Sequence, residues 1–191
     1  MFEFCIRRRL FTFPFLLVDQ VSNHSKMAEE PATDILVIGF GNPHRSDDGV
    51  GCFVIDQLQD ADIKDATLLK MNPDGYALME AWKDREWVII VDAAKSGEPA
   101  GTVKQFDALT EQIPCDISPV SSHTINLAET ISLGRTLNQL PKHVIVFAIE
   151  ADNFGYGSEL SPEVREAGVK VARRIESLIK GMSLRETKRS E

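Results

Sequence analysis

The chain is poor in the features that would assign it quickly to several large classes of protein. It has three cysteines, Cys5, Cys52 and Cys115, odd in number and far apart. They make neither a disulfide framework nor a zinc-binding pattern, and a reducing compartment is expected. Positive charge is scarce: 21 Lys and Arg stand against 29 Asp and Glu, a net charge of −8. Nucleic acid, whose phosphates call for basic patches, is therefore excluded as the expected partner. No apolar run reaches membrane-spanning length, since Leu10–Val18 is too short and is broken by Thr12 and Pro14. Gly39-Phe-Gly41 does not complete a dinucleotide fingerprint, because position 44 is His, and no Gly-Lys-Ser/Thr follows to make a phosphate loop. A G-x-S-x-G nucleophile elbow is missing as well. No internal repeat and no linker divides the chain after Met27.

Residues 1–26 differ from the rest. They hold five of the ten Phe and the run Arg7-Arg8-Arg9, and carry a charge of +2, which leaves −10 for the remainder. A basic patch before an apolar stretch resembles a signal peptide, but no small-residue cleavage site follows. The expectation is that Met27 is the working start and that 1–26 is a disordered extension or a misassigned start. Residues 27–185 then form a single domain and 186–191 a polar tail.

What is present is organised around one stretch. Ile35-Leu-Val-Ile38 is a short apolar run, rich in β-branched residues and suited to a strand buried on both faces. It ends in turn residues, Gly39, Gly41, Asn42 and Pro43, followed by the adjacent carboxylates Asp47 and Asp48. A helical pattern then places Val50, Phe53, Val54 and Leu58 on one face. Strand, glycine-rich loop and helix in this order put both carboxylates where open α/β sheets bind ligands. One of the pair is expected to cap the following helix and the other to be functional.

The remainder alternates. Strands are predicted over Thr67–Met71, Trp87–Val91 and His143–Ala148, with a short edge strand over Thr102–Phe106 whose antiparallel placement stays open. Helices are predicted over Tyr76–Trp82, over Thr124–Leu137 with Ser121 or Ser122 as cap, and from Ser161-Pro162-Glu163 to Lys180, ending at Gly181. The expected architecture is a three-layer α/β/α domain with a twisted, mostly parallel five-stranded sheet.

Three side chains fall on the loop side of that sheet: Asp48 after the first strand, Asp92 after the third, and His123 before a helix. Two carboxylates and an imidazole suit a divalent transition metal with open positions. Their separations of 44 and 31 residues make no local ligand motif; taken singly, His123 reads more readily as a surface or capping residue, and a turn-capping Asp92 stays open at this point. His44 lies in the first loop, and His143 starts a strand. No nucleophile stands out. Cys52 is expected to face the core, Cys115 has no His nearby, and Ser121 and Ser122 are mere sequence neighbours of His123.

The blocks in order carry a resemblance. Gly41-Asn-Pro-His-Arg-Ser-Asp-Asp-Gly-Val-Gly51 resembles the signature of the hydrogenase maturation endopeptidases. Val88-Ile-Ile-Val-Asp92 with Gly97, Pro99 and Gly101-Thr102 is similar to the family's second block. Ser121-Ser-His-Thr124 resembles its third, and Ile149-Glu150 with Gly155, Gly157 and Leu160-Ser-Pro-Glu-Val164 its last. The resemblance implies a cytoplasmic endopeptidase that removes a short C-terminal peptide from the precursor of a nickel–iron hydrogenase large subunit. It also implies that Asp48, Asp92 and His123 are the catalytic and metal-binding residues. The nickel is expected to be presented by the substrate, with no organic cofactor, no nucleic acid or membrane partner, and a monomeric enzyme. Metal-directed hydrolysis is the expected chemistry, with a carboxylate aiding proton transfer. Many relatives have a hydrophobic residue where His44 or Arg45 stands, and Ala151-Asp152 follows Glu150 where a Pro is common; these departures bear on which large subunit is served. Two other readings remain at this level. One is a non-proteolytic chaperone or sensor of the metallated subunit. The other is an α/β enzyme for a phosphorylated substrate, which Asp47 and Asp48 disfavour by opposing an anion.

Overall fold

The computed structural model describes residues 34–114 and 126–187, for the last four of these only the backbone. The chain divides into two units, Met1–Pro31 and Ala32–Glu191, and the description concerns the second. The expected disorder of 1–26 falls outside the described residues.

Five strands form one sheet: β1 (Ile35–Phe40), β2 (Thr67–Met71), β3 (Trp87–Ala94), β4 (Val103–Asp107) and β5 (His143–Glu150). Their order is β2-β1-β3-β5-β4. All neighbours run parallel except β4, which lies antiparallel on β5 at the edge. Four helices accompany them: α1 (Val50–Asp60), α2 (Gly75–Trp82), α3 (Leu127–Thr136) and α4 (Pro162–Thr187). This is the expected mostly parallel α/β architecture.

Strand alternation sorts the apolar residues onto two faces. Ile35, Val37, Ile89, Val91, Phe147 and Ile149 pack under α1 and α4, with Val54, Leu58, Val171 and Ile175. Leu36, Ile38, Val88, Ile90, Val144 and Val146 pack under α2 and α3, with Leu78, Trp82, Leu127 and Ile131. All six residues of β1 are buried, as its unbroken apolar run requires for a strand covered on both sides. Each buried Leu or Ile is worth about 1.5–3 kcal/mol.

Two predicted helix boundaries are corrected. α3 begins at Leu127, capped by Asn126 rather than by Ser121 or Ser122. Asn126 and Glu129 form a reciprocal capping box, with Glu129 N–H donating to Asn126 Oδ1 at 2.8 Å and Asn126 N–H to Glu129 Oε2 at 3.1 Å. α4 does not stop at Gly181. Its apolar stripe, Val164, Val171, Ile175 and Ile179, continues to the buried Met182. That packing outweighs the roughly 1 kcal/mol that a helical glycine costs.

The strand order sets the site. From β1 the chain moves to β2 on one side, then crosses back to β3 on the other. α1 and α2 therefore cover opposite faces, and the connections leave β1 and β3 in opposite directions, the arrangement that opens a crevice at the strand ends of open α/β sheets. Ligands bind at such switch points in open α/β sheets.

Candidate functional site at the ends of β1 and β3

The loop after β1 is shaped by glycines that no other residue replaces. Gly41 has φ +134, and a Cβ there would lie 2.0 Å from the carbonyl oxygen of Asp48. A Cβ on Gly51 would lie 2.4 Å from the Phe40 carbonyl and 2.5 Å from that of Val91. The first turn of α1 thus rests directly on the ends of β1 and β3. Between these glycines a 3-10 turn, Ser46–Gly49, carries both aspartates. Ser46 enters it at φ 49, a left-handed conformation that costs a non-glycine residue about 1–3 kcal/mol.

Asp48 is 6% exposed, and its Oδ2 accepts the Asn42 N–H at 3.1 Å. Burial pushes its carboxyl pKa above the ordinary value; the Asn42 bond and the Arg45 guanidinium oppose that shift without cancelling it. Asp92 is 1% exposed, and its Oδ1 accepts the N–H of Ala93 at 2.9 Å. It sits in register with Ala148 of β5 and, by alternation, on the face of Val88 and Ile90. Two carboxylates are therefore buried at the carboxyl ends of adjacent strands, on either side of the switch point. Burying carboxylates is costly, and such clusters mark functional sites.

His123 lies outside the described residues, as do Cys115, Ser121 and Ser122. Among the described residues no group of three His, Cys, Asp or Glu side chains could hold a metal ion. Asp48 and Asp92 are thus the two predicted site residues on view.

Neither aspartate caps α1, contrary to the expectation for one of them: the N-cap is Gly49, with no side-chain bond. Asp47 turns away instead. Its Oδ1 accepts the Ser161 N–H at 2.7 Å, and its Oδ2 accepts the Asn153 N–H at 3.0 Å and the Ser161 hydroxyl at 2.8 Å. Cys52 is buried as expected, and burial raises its thiol pKa, with Lys70 opposing. A buried, protonated thiol is a poor nucleophile. His44 is exposed in the loop. His143 stacks on Trp87, ring centroids 3.7 Å apart, at the opposite end of the strands.

Glu150 was given no role from the sequence. It is buried at the end of β5; its Oε1 accepts the N–H groups of Ser96 at 2.6 Å and Gly97 at 2.8 Å, and its Oε2 the Ser96 hydroxyl at 2.8 Å. It fixes the turn after β3 and lines a small cavity of about 90 Å³ with Ala94, Phe106 and Pro114. The sequence signals for it are its place beside a strand end and in the Ile149-Glu150 block that resembles the family's last.

No helix among the described residues is long and apolar enough to cross a membrane.

Known proteins resemble this chain in sequence and in fold. A hydrogenase formation protein, HupD, of Thiocapsa roseopersicina is 27% identical over 70% of this chain, and the match spans 62% of HupD's own length. A putative hydrogenase maturation protease of Methanocaldococcus jannaschii is 26% identical over 78% of this chain and 95% of its own. The solved structure of the hydrogenase maturating endopeptidase HybD from E. coli superimposes with a TM-score of 0.64 at 23% identity, covering 78% of this chain and 93% of HybD; that likeness speaks for the fold. The family pattern of the HycI hydrogenase maturation proteases matches residues 54–178, which run from α1 into α4 and include Asp92 and His123. With more than half of its length so matched, on the fold just described, the chain belongs to the hydrogenase maturation protease family.

Proposed function

We propose that this protein is an endopeptidase that removes a short C-terminal peptide from the nickel-loaded precursor of a nickel–iron hydrogenase large subunit. Asp48, Asp92 and His123 are the proposed catalytic and metal-binding residues. The observation that carries the reading is the burial of Asp48 and Asp92 at the ends of adjacent parallel strands, at the switch point of the sheet. Family membership supports the reaction class and the kind of partner. The cytoplasm is the proposed compartment, and a monomer the proposed state.

The donor set fits a divalent transition ion. Each carboxylate is oriented by a backbone N–H, from Asn42 or Ala93. A carboxylate has about four acceptor sites, and a nearby cation would relieve the burial that disfavours the Asp48 anion. The nickel belongs to the substrate, so only loaded precursor docks productively. As a Lewis acid it would polarise the scissile carbonyl or the attacking water. The protein's part is to hold the peptide at the crevice and move protons. A carboxylate takes a proton from the water as it adds to the carbonyl carbon, and returns it to the departing amine as the C–N bond breaks.

The test incubates nickel-loaded precursor with the native protein and with Asp48→Asn, Asp92→Asn and His123→Ala. Mass spectrometry defines the new C-terminus. The native protein should release a short tail from nickel-loaded precursor only, and each variant should be slower by about 10²–10⁴-fold. A stable complex with an intact tail would favour the chaperone or sensor reading. Neither complex nor cleavage would overturn the proposed partner.

A further inference from the structure

The hydrolytic reading leaves one fully buried carboxylate unused. Asp47 is 0% exposed, and both of its oxygens are engaged by Asn153 and Ser161. Its own N–H donates to the Asn153 carbonyl at 3.0 Å. Further bonds run beside it. Ser46 N–H donates to the Gly157 carbonyl at 2.8 Å, and Gly157 N–H to the His44 carbonyl at 3.0 Å. The Arg45 guanidinium donates to the Phe154 carbonyl from Nε at 3.3 Å and Nη2 at 3.2 Å. The loop after β5 and the start of α4 are thereby stitched to the turn that carries Asp48.

This goes beyond capping α4. Three donors from two chain positions converge on Asp47, and only a carboxylate offers both oxygens as acceptors. An amide would present an N–H₂ group to at least one of those donors. Asp47 and Asp48 also share a peptide unit, which is planar. Holding Asp47 from the α4 side therefore helps fix the peptide plane from which Asp48 departs, and the φ and ψ of the 3-10 turn complete its direction. Asp48 N–H, bonded to the Arg45 carbonyl at 3.2 Å, closes the turn from the other side.

We infer that Asp47 is a positioning residue for the cleavage. Its carboxylate anchors the Ser46–Gly49 turn to Ser161 and Asn153, so that Asp48 is held toward the crevice at the ends of β1 and β3. The inference rests on the endopeptidase reading above. It also makes residues 153–161 part of the site's frame, and changes there act on Asp48 through Asp47.

The test uses the full chain and nickel-loaded precursor, with Asp47→Asn, Ser161→Ala and Ser161→Thr. Single-turnover cleavage and precursor affinity are measured separately, below the melting temperature of each variant. Asp47→Asn should slow single-turnover cleavage by about a hundredfold while precursor affinity stays at the native value. Ser161→Ala should slow it less, and Ser161→Thr, which keeps the hydroxyl, should restore it. A merely structural role would lower the melting temperature and leave the rate per folded molecule unchanged, and that result overturns the inference. If Asp47→Asn does not fold, the Ser161 pair decides: equal rates for Ala and Thr overturn it. A native protein that cleaves, with Asp47→Asn cleaving as fast, refutes the positioning role alone. A native protein that cleaves nothing overturns the endopeptidase reading and the positioning role with it.

Discussion

Asp48 and Asp47 are neighbours of one chemical type, yet their surroundings give them different work. Asp47 has both oxygens engaged by donors from the chain, whereas burial raises the pKa of Asp48. For Asp48 the consequence for stability has a definite sign. Below the ordinary carboxyl value of 3.8 the group is protonated folded or unfolded, and burial costs nothing in charge. As pH rises through its raised folded value, the unfolded state ionises more readily and stability is lost. Asp48→Asn removes that loss. In the presence of a chelator, the variant should therefore melt higher than the native protein at neutral pH, and the difference should vanish as pH falls toward 3.8, as read by calorimetry. A carboxylate retained against stability is what a functional site requires. An Asp48→Asn melting point at or below native at neutral pH would contradict the assignment of burial as the dominant cause.

The elements show where backbone contact, rather than side-chain packing, sets the geometry. α1 begins against β1 and β3 because Gly51 lets its backbone approach the Phe40 and Val91 carbonyls. Gly51→Ala forces the helix start away from the strand ends and should cost about 1–3 kcal/mol, read as a lower urea midpoint. The turn carrying Asp48 moves with α1, so cleavage should fall as well. Gly181 is the contrasting case. A Cβ there meets nothing within 4 Å, and the residue lies inside α4. Gly181→Ala should stabilise by about 1 kcal/mol and raise the melting temperature by about 2–4 °C, with cleavage unchanged. Both glycines sit in helices, and only their surroundings separate the two outcomes.

For the whole molecule, net charge sets the long-range field that the proposed partner would meet. The chain carries −8, and the part after residue 26 carries −10. An acidic protein steers toward basic segments over distances set by the Debye length, about 30 Å at 0.01 M salt and 8 Å at 0.15 M. If the precursor's C-terminal tail is basic, stopped-flow association should slow across that range while dissociation changes little. An association rate independent of salt would remove electrostatic steering from the account. The switch point belongs to the same scale, because it arises from the order of all five strands.

Much of this protein is determined by its sequence alone, because the signals are local. The apolar runs of β1 and β3, the breakers around Gly41 and Pro43, and the Ser161-Pro162 helix start each express a conformational preference within a few residues. They suffice for a mostly parallel α/β domain and for placing Asp48 and Asp92 at strand ends. The cap at Asn126 is equally local, in the capping box Asn126-Leu-Ala-Glu129. What only the tertiary structure decided is contact between distant parts of the chain. Gly181 continues a helix because Met182 finds the core. Glu150 matters because Ser96 and Gly97 come to it across the strand end. Asp47 bonds Ser161, 114 residues away, and so becomes an anchor and not a cap. No spacing rule reaches so far, because the strand order that brings those loops together is a property of the assembled sheet.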